Sequence, residues 1–152
     1  MSSTMPSFYR IWFTVVDPLL SIAGVLGNLF VPTTILNSYS PSFVSPPATE
    51  TIYLLDATAG FLAGLVLLQV VLLRARPTDV TVWRVLQASM LLVDLAMLGG
   101  FARALSAQGR TVWRVWRAEE WTNLVIIAGV AVIRTAFVLG VGMGGQRKGK
   151  TV

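Results

Sequence analysis

The sequence predicts an all-α protein, a four-helix transmembrane bundle with both termini on the same, cytosolic side. Three observations carry this expectation. Hydrophobic residues fill 55% of the 152 positions and charged ones only 12%, and the mean hydropathy of +0.71 is foreign to soluble domains. Four stretches, at about 9–31, 52–73, 82–101 and 121–143, each approach the roughly 20 apolar residues that a helix needs to cross about 30 Å of hydrocarbon. Each span also encloses an ionisable residue, which hydrocarbon penalises by several kcal/mol unless the group faces protein or a water-filled cavity. The chain reads as a single integral membrane domain over residues 1–152.

Composition excludes several classes of function. The formal charge of +5 comes from basic residues scattered between apolar spans, with no helix-long basic stripe, so no nucleic-acid partner is expected. Without Cys or His there are no disulfides and none of the usual ligands of zinc, haem or iron–sulfur centres. No metal and no cofactor is therefore expected. Acid–base chemistry falls to Asp, Glu, Tyr, Lys or Arg.

Taken in order, the first span carries Arg10 and the pair Asp17-Pro18. An acidic residue in mid-span does not fit a cleaved signal peptide, so this reads as a retained helix kinked at Pro18, which lacks a backbone donor. Residues 31–51, with Pro32, Pro41, Pro46 and Pro47, read as a loop. The second span ends at Arg74, Arg76 and Pro77, and the short link that follows makes spans two and three an antiparallel hairpin. After Gly99 and Gly100, residues 102–120 read as a polar loop or an interfacial amphipathic helix. The last span contains Arg134 and leads into a basic tail. Arg10, Arg74, Arg76, Arg84, Arg147, Lys148 and Lys150 fall on one side, against Arg103, Arg110, Arg114 and Arg117 on the other, which places both termini in the cytosol. Trp12 and Trp83 are expected at one membrane boundary and Trp121 at the other.

Residues three, four, seven or eleven apart share a helix face, and by that rule the buried polar residues form four stripes. These are Thr14, Asp17, Ser21, Gly24 and Asn28; Asp56, Gly60 and Gly64, a GxxxG spacing; Gln87 and Asp94; and Glu120, Asn123 and Arg134. Convergence of the four would give a polar interior with Leu, Val and Ile facing lipid. At about 1.5 Å per residue, Asp17, Gln87 and Arg134 come out roughly 20 Å deep, Asp94 roughly 10 Å, and Asn28 and Asp56 roughly 5 Å, with Glu120 and Asn123 at the rim. Asp17 and Arg134 are natural partners in a structural ion pair. In the outer layer, like-charged carboxylates in a low dielectric cannot both ionise easily, so one stays an acid while the other is a base. Each residue also has a plainer role. Asp56 suits the positive end of its helix, Glu119 and Glu120 suit pairing with Arg114 or Arg117, and the glycines at 140, 142, 144 and 145 suit a helix end.

With four spans in 152 residues, YRIWFTVVDPLLSIAG near the start and RAEEWTNL entering the last helix, the chain resembles a family of small fungal four-helix integral membrane proteins. That family includes the epoxide hydrolases and cyclases of aurovertin- and citreoviridin-type polyketide pathways. The resemblance implies an epoxide hydrolase or cyclase acting on a lipophilic polyene epoxide. Opening an epoxide needs an acid for the departing oxygen and a base for water or a substrate hydroxyl. On this reading Asp94 and Asp56 are the catalytic pair, Glu120 is an alternative base, Asn28 and Asn123 orient water or substrate, and Asp17 with Arg134 forms the floor. The partners expected are a lipophilic small-molecule substrate, the lipid bilayer and a second copy of the chain through Gly60 and Gly64, in a multi-pass protein of the endoplasmic reticulum. Three other readings stay open. They are a lipid-modifying or lipid-binding four-helix protein similar to the emopamil-binding sterol isomerases, a non-catalytic scaffold or assembly subunit, and a transporter.

Overall fold

A computed structural model describes residues 5–143 of the protein. The basic tail with Arg147, Lys148 and Lys150 lies outside the described residues. Among those residues there is no strand, and five helices account for most of the chain. They are α1 (Ser7–Phe30), α2 (Pro32–Tyr39), α3 (Thr49–Ala75), α4 (Val80–Ala107) and α5 (Ala118–Val138). All except α2 are long and apolar enough to cross a membrane.

The differences from the expected boundaries have local causes. Pro32 starts a helix inside the expected loop because its fixed φ and missing donor suit a first helical position. Gly99 and Gly100 do not end α4, which runs on to Ala107 through a stretch rich in good helix formers. The segment 102–120, read as a polar loop or an interfacial helix, is divided. Its first part extends α4, and only a short 3-10 turn, Trp113–Val115, interrupts the loop beyond. Asp79 caps α4, accepting from the backbone N–H groups of Thr81 and Val82 at 3.0 and 3.1 Å.

Two antiparallel pairs make the bundle, α1 along α3 and α4 along α5, with α3 and α4 joined by the tight turn at 76–79. We call the end with that turn proximal and the other distal. Short α2 folds back across the distal end against α1, α4 and α5. Gly27 permits that fold, since a Cβ there would sit 2.8 Å from Ile35 Cδ1. The proximal half is filled by Tyr9, Phe13, Leu73, Trp83, Leu86, Met90 and Phe137. Phe137 meets Tyr9 and Phe13 edge-on, with ring centres 5.0 and 5.2 Å apart, a favoured aromatic geometry. Trp83 therefore belongs to this core and not to a boundary belt, with its indole N–H donating to the Arg76 carbonyl at 2.9 Å.

Inside and outside are exchanged relative to a water-soluble bundle. Leu19, Leu67, Leu92, Val125 and Val132 are exposed, whereas Asp17, Gln69, Gln87, Asp94, Glu120 and Arg134 are buried. Such an exterior suits hydrocarbon, where burial of Leu brings no hydrophobic gain and helices associate by close packing and polar contacts. Truncation in the aromatic core should therefore act through lost packing. Phe137→Ala is expected to cost roughly 3 kcal/mol and to lower the thermal unfolding midpoint in detergent, while Phe61→Ala on the exposed face leaves the midpoint nearly unchanged.

Candidate functional site

The site begins with a proline. Pro18 has no N–H, and just before it Trp12–Val16 winds as one π-helical turn in which the Asp17 N–H reaches back to the Trp12 carbonyl. In that register the Phe13 carbonyl faces Pro18 and finds no intrahelical donor. Gln69 of α3 supplies one, with its Nε2 2.7 Å from Phe13 O and 2.7 Å from Asp17 Oδ2. The kink expected at Pro18 thus appears as a π turn that ties α1 to α3 beside Asp17.

Arg134 of α5 completes the constellation. Its Nη2 lies 2.9 and 2.7 Å from Asp17 Oδ1 and Oδ2, its Nη1 donates to Asp94 Oδ2, and its Nε donates to Gln87 Oε1 at 3.2 Å. One guanidinium therefore connects α1, α4 and α5 directly, and α3 through Asp17 and Gln69. Asp94 joins this layer and not an outer one, a correction to the depth count. Side chains lean toward the N-terminus of their own helix; α4 begins proximally and α5 distally, so Asp94 reaches down and Arg134 reaches up. Two turns of helix between Gln87 and Asp94 are bridged in this way.

The electrostatics follow from counting. Two carboxyl groups and one guanidinium would carry an excess negative charge if both acids were ionised, and a low-dielectric interior disfavours that state. The two acids are not equivalent. Asp17 accepts from Gln69 and twice from Arg134, whereas Asp94 accepts from Arg134 alone. Asp94 is also the more open, with 11% of its side chain exposed against 2% for Asp17 and 4% for Arg134.

The other expected site residues lie elsewhere. Asp56, with Gly60 and Gly64, is exposed on the outer face of α3, and a Cβ on either glycine would meet nothing within 4 Å. The second stripe therefore does not converge with the other three. α3 turns Ala59, Gln69 and Leu73 inward instead, and Asp56 does not pair with Asp94. Glu120 is fully buried at the distal end, where it accepts from Arg110, from the Arg117 N–H at 2.9 Å and from Arg117 Nε at 3.2 Å. Those bonds close the loop between α4 and α5, and Arg117 reaches on to Asn37 Oδ1 at 3.1 Å. Asn123 donates to Ser38 O and Oγ at 3.1 and 3.0 Å, holding α2, while Asn28 donates to the Gly24 carbonyl of its own helix at 2.8 Å. Glu120, Asn123 and Asn28 are thus parts of the scaffold, apart from the Asp17–Arg134–Asp94 layer. Sequence reasoning gave Gln69 no role, although a lone amide in an apolar span is a signal in itself, whereas Gln87 stood out by its seven-residue spacing from Asp94.

A family match covers nearly the whole chain, with the domain of unknown function DUF7704 aligning to residues 2–144. The chain belongs to the DUF7704 family. No curated protein matches it, and no solved structure does. The arrangement of this DUF7704 member itself therefore carries the functional argument.

Removing the cation should expose the cost of the arrangement. Arg134→Met leaves two buried carboxyl groups without a counter-charge and is expected to cost about 3–5 kcal/mol, read as loss of the monodisperse peak in size-exclusion chromatography. Adding Asp17→Asn and Asp94→Asn to Arg134→Met should restore most of that peak.

Proposed function

We propose that this protein is a membrane-embedded epoxide hydrolase or cyclase that opens a lipophilic polyketide (polyene) epoxide by carboxylate general acid–base catalysis. The observation that carries the reading is the pair of buried carboxyl groups on one guanidinium, an arrangement in which one carboxyl can give a proton while the other takes one. The pair is Asp94 with Asp17, in place of Asp94 with Asp56 or Glu120. Asp94, held by fewer donors and more open, carries the proton and gives it to the epoxide oxygen as the C–O bond breaks. Asp17, held as the carboxylate by Arg134 and Gln69, takes the proton of the attacking hydroxyl. Arg134 fixes both and stabilises the charge that develops on the departing oxygen.

The same reading places the four long helices across the endoplasmic reticulum membrane with the proximal end in the cytosol. By sequence, seven basic residues, Arg10, Arg74, Arg76, Arg84, Arg147, Lys148 and Lys150, belong to that side against Arg103, Arg110, Arg114 and Arg117 on the other, and this excess supports the orientation. A polyene epoxide partitions into the bilayer and reaches Asp94 laterally. The open Gly60 and Gly64 face of α3 is where a second copy of the chain would dock, with Asp56 on the same stripe.

A specific feature favours a second reading, lipid binding without turnover. Ile22, Val25, Ala63, Val66, Leu67 and Val70 line an apolar groove of about 290 Å³ between α1 and α3, suited to an acyl chain or a sterol, and the Asp–Arg–Asp layer would then serve only to hold the helices together. Turnover of polyene mono- and bis-epoxides by microsomes carrying the protein, in ¹⁸O-labelled water, separates the two. Catalysis predicts labelled diol or a cyclic ether from the wild type, at least about a hundredfold less with Asp94→Asn or Asp17→Asn, and a change of no more than a few-fold with Asp56→Asn. Identical products from wild-type and protein-free microsomes would favour lipid binding, and a hundredfold loss with Asp56→Asn would return Asp56 to the site.

A further inference from the structure

Gln69 and Gln87 are both fully buried, and each amide has one atom committed and one left over. Gln69 Nε2 serves two acceptors, Phe13 O and Asp17 Oδ2, so the amide cannot be turned round and Oε1 remains as an unpartnered acceptor. Gln87 Oε1 accepts from Arg134 Nε, so its Nε2 remains as an unpartnered donor. A buried amide atom without a partner is costly, and native interiors rarely keep one without a reason. The two leftovers are complementary, an acceptor and a donor, on two amides that both belong to the Arg134 layer. Nε and Nη2 lie on one side of the planar guanidinium; Nε holds Gln87, and Nη2 holds Asp17, which in turn holds Gln69.

We propose that Gln69 Oε1 and Gln87 Nε2 form the seat of the attacking oxygen and select water over an alcohol, so that the product is a diol and not a cyclic ether. This rests on the epoxide-opening reading above. A hydroxyl oxygen is the smallest group that both donates and accepts, whereas an ammonium only donates and a carbonyl only accepts. Water fills every position. One O–H points to the Asp17 carboxylate, the other to Gln69 Oε1, one lone pair accepts from Gln87 Nε2, and the second lone pair faces the epoxide carbon. An alcohol has a single O–H, which the base must take, so Gln69 Oε1 stays unpaired. A site built to use a hydrogen bond discriminates against the group that lacks it.

The step balances. The water oxygen forms a bond to the epoxide carbon, and that carbon's bond to the ring oxygen breaks with its electron pair going to the oxygen. The water proton passes to Asp17, and the Asp94 proton passes to the former ring oxygen. Return of one proton from Asp17 to Asp94 restores the starting state, with net addition of one water.

The test is competition between nucleophiles. Full-length protein in microsomes is given a hydroxylated polyene epoxide in ¹⁸O-labelled water containing dilute methanol. Labelled diol, methyl ether and unlabelled cyclic ether are then quantified beside the same epoxide opened by acid without protein. The wild type is expected to raise the ratio of diol to both ethers at least about tenfold over acid opening, the size expected from one buried hydrogen bond left unmade. Gln69→Met should return the ratio toward that of acid opening. Gln87→Met, which removes a contact common to water and alcohol, should lower the rate and keep the ratio, a separation that a merely structural role for the two amides would not produce. If Gln69→Met fails to fold, as judged by its melting curve in detergent, the wild-type ratio decides alone. A wild-type ratio equal to that of acid opening, or unlabelled cyclic ether as the main product, overturns the water seat and leaves epoxide opening standing. No turnover by the wild type overturns both.

Discussion

Everything in the centre of this bundle depends on where one guanidinium finds its partners. Arg134 has five N–H donors and no acceptor, and it is buried within the bundle, 4% exposed. It is satisfied by Asp17, Asp94 and Gln87, which come from two other helices. Because apolar side chains gain nothing by leaving hydrocarbon for a helix interface, these polar contacts and the aromatic packing below them supply the specificity with which four otherwise greasy cylinders choose neighbours. The same contacts that join the helices also hold the two acids on one cation, the arrangement on which the proposed chemistry rests.

The Pro18 irregularity belongs to that arrangement. A proline in mid-helix frees a carbonyl, and the π turn determines which carbonyl that is, namely Phe13. Gln69 is recruited by this local deficit, and its remaining reach engages Asp17. Backbone geometry on α1 thereby fixes a side chain on α3 and leaves its amide oxygen without a partner.

The distal end works by different rules. Glu120, Arg110 and Arg117 form a charged clasp that closes the loop and holds α2 through Asn37, while Asn123 and Gln108 add bonds to Ser38 and Tyr39. At these helix ends Arg110 and Arg117 are partly exposed, and there charge organises loops. The acids of this protein thus divide by depth and by partner. Glu120 has two arginines, Asp17 and Asp94 share one, and Asp56 faces outward.

The sequence by itself determined the four long apolar helices, the tight turn between α3 and α4, the irregularity at Pro18 and the pairing of Asp17 with Arg134 as natural partners. Each of these follows from local composition or from a count along one helix, and hydrocarbon makes a mid-span charge conspicuous. Only the tertiary structure decided which face of α3 turns inward. Asp56, Gly60 and Gly64 share a stripe as regular as any other, but rotation of a helix about its axis is set by the shape of its neighbours. The packing of Ala59, Gln69 and Leu73 against them outweighed the exposure of a single carboxylate near the helix end. Asp94 was misplaced in depth for a related reason: an axial count locates Cα atoms, whereas Arg134 and Asp94 lean toward each other along antiparallel helices and meet between their own levels.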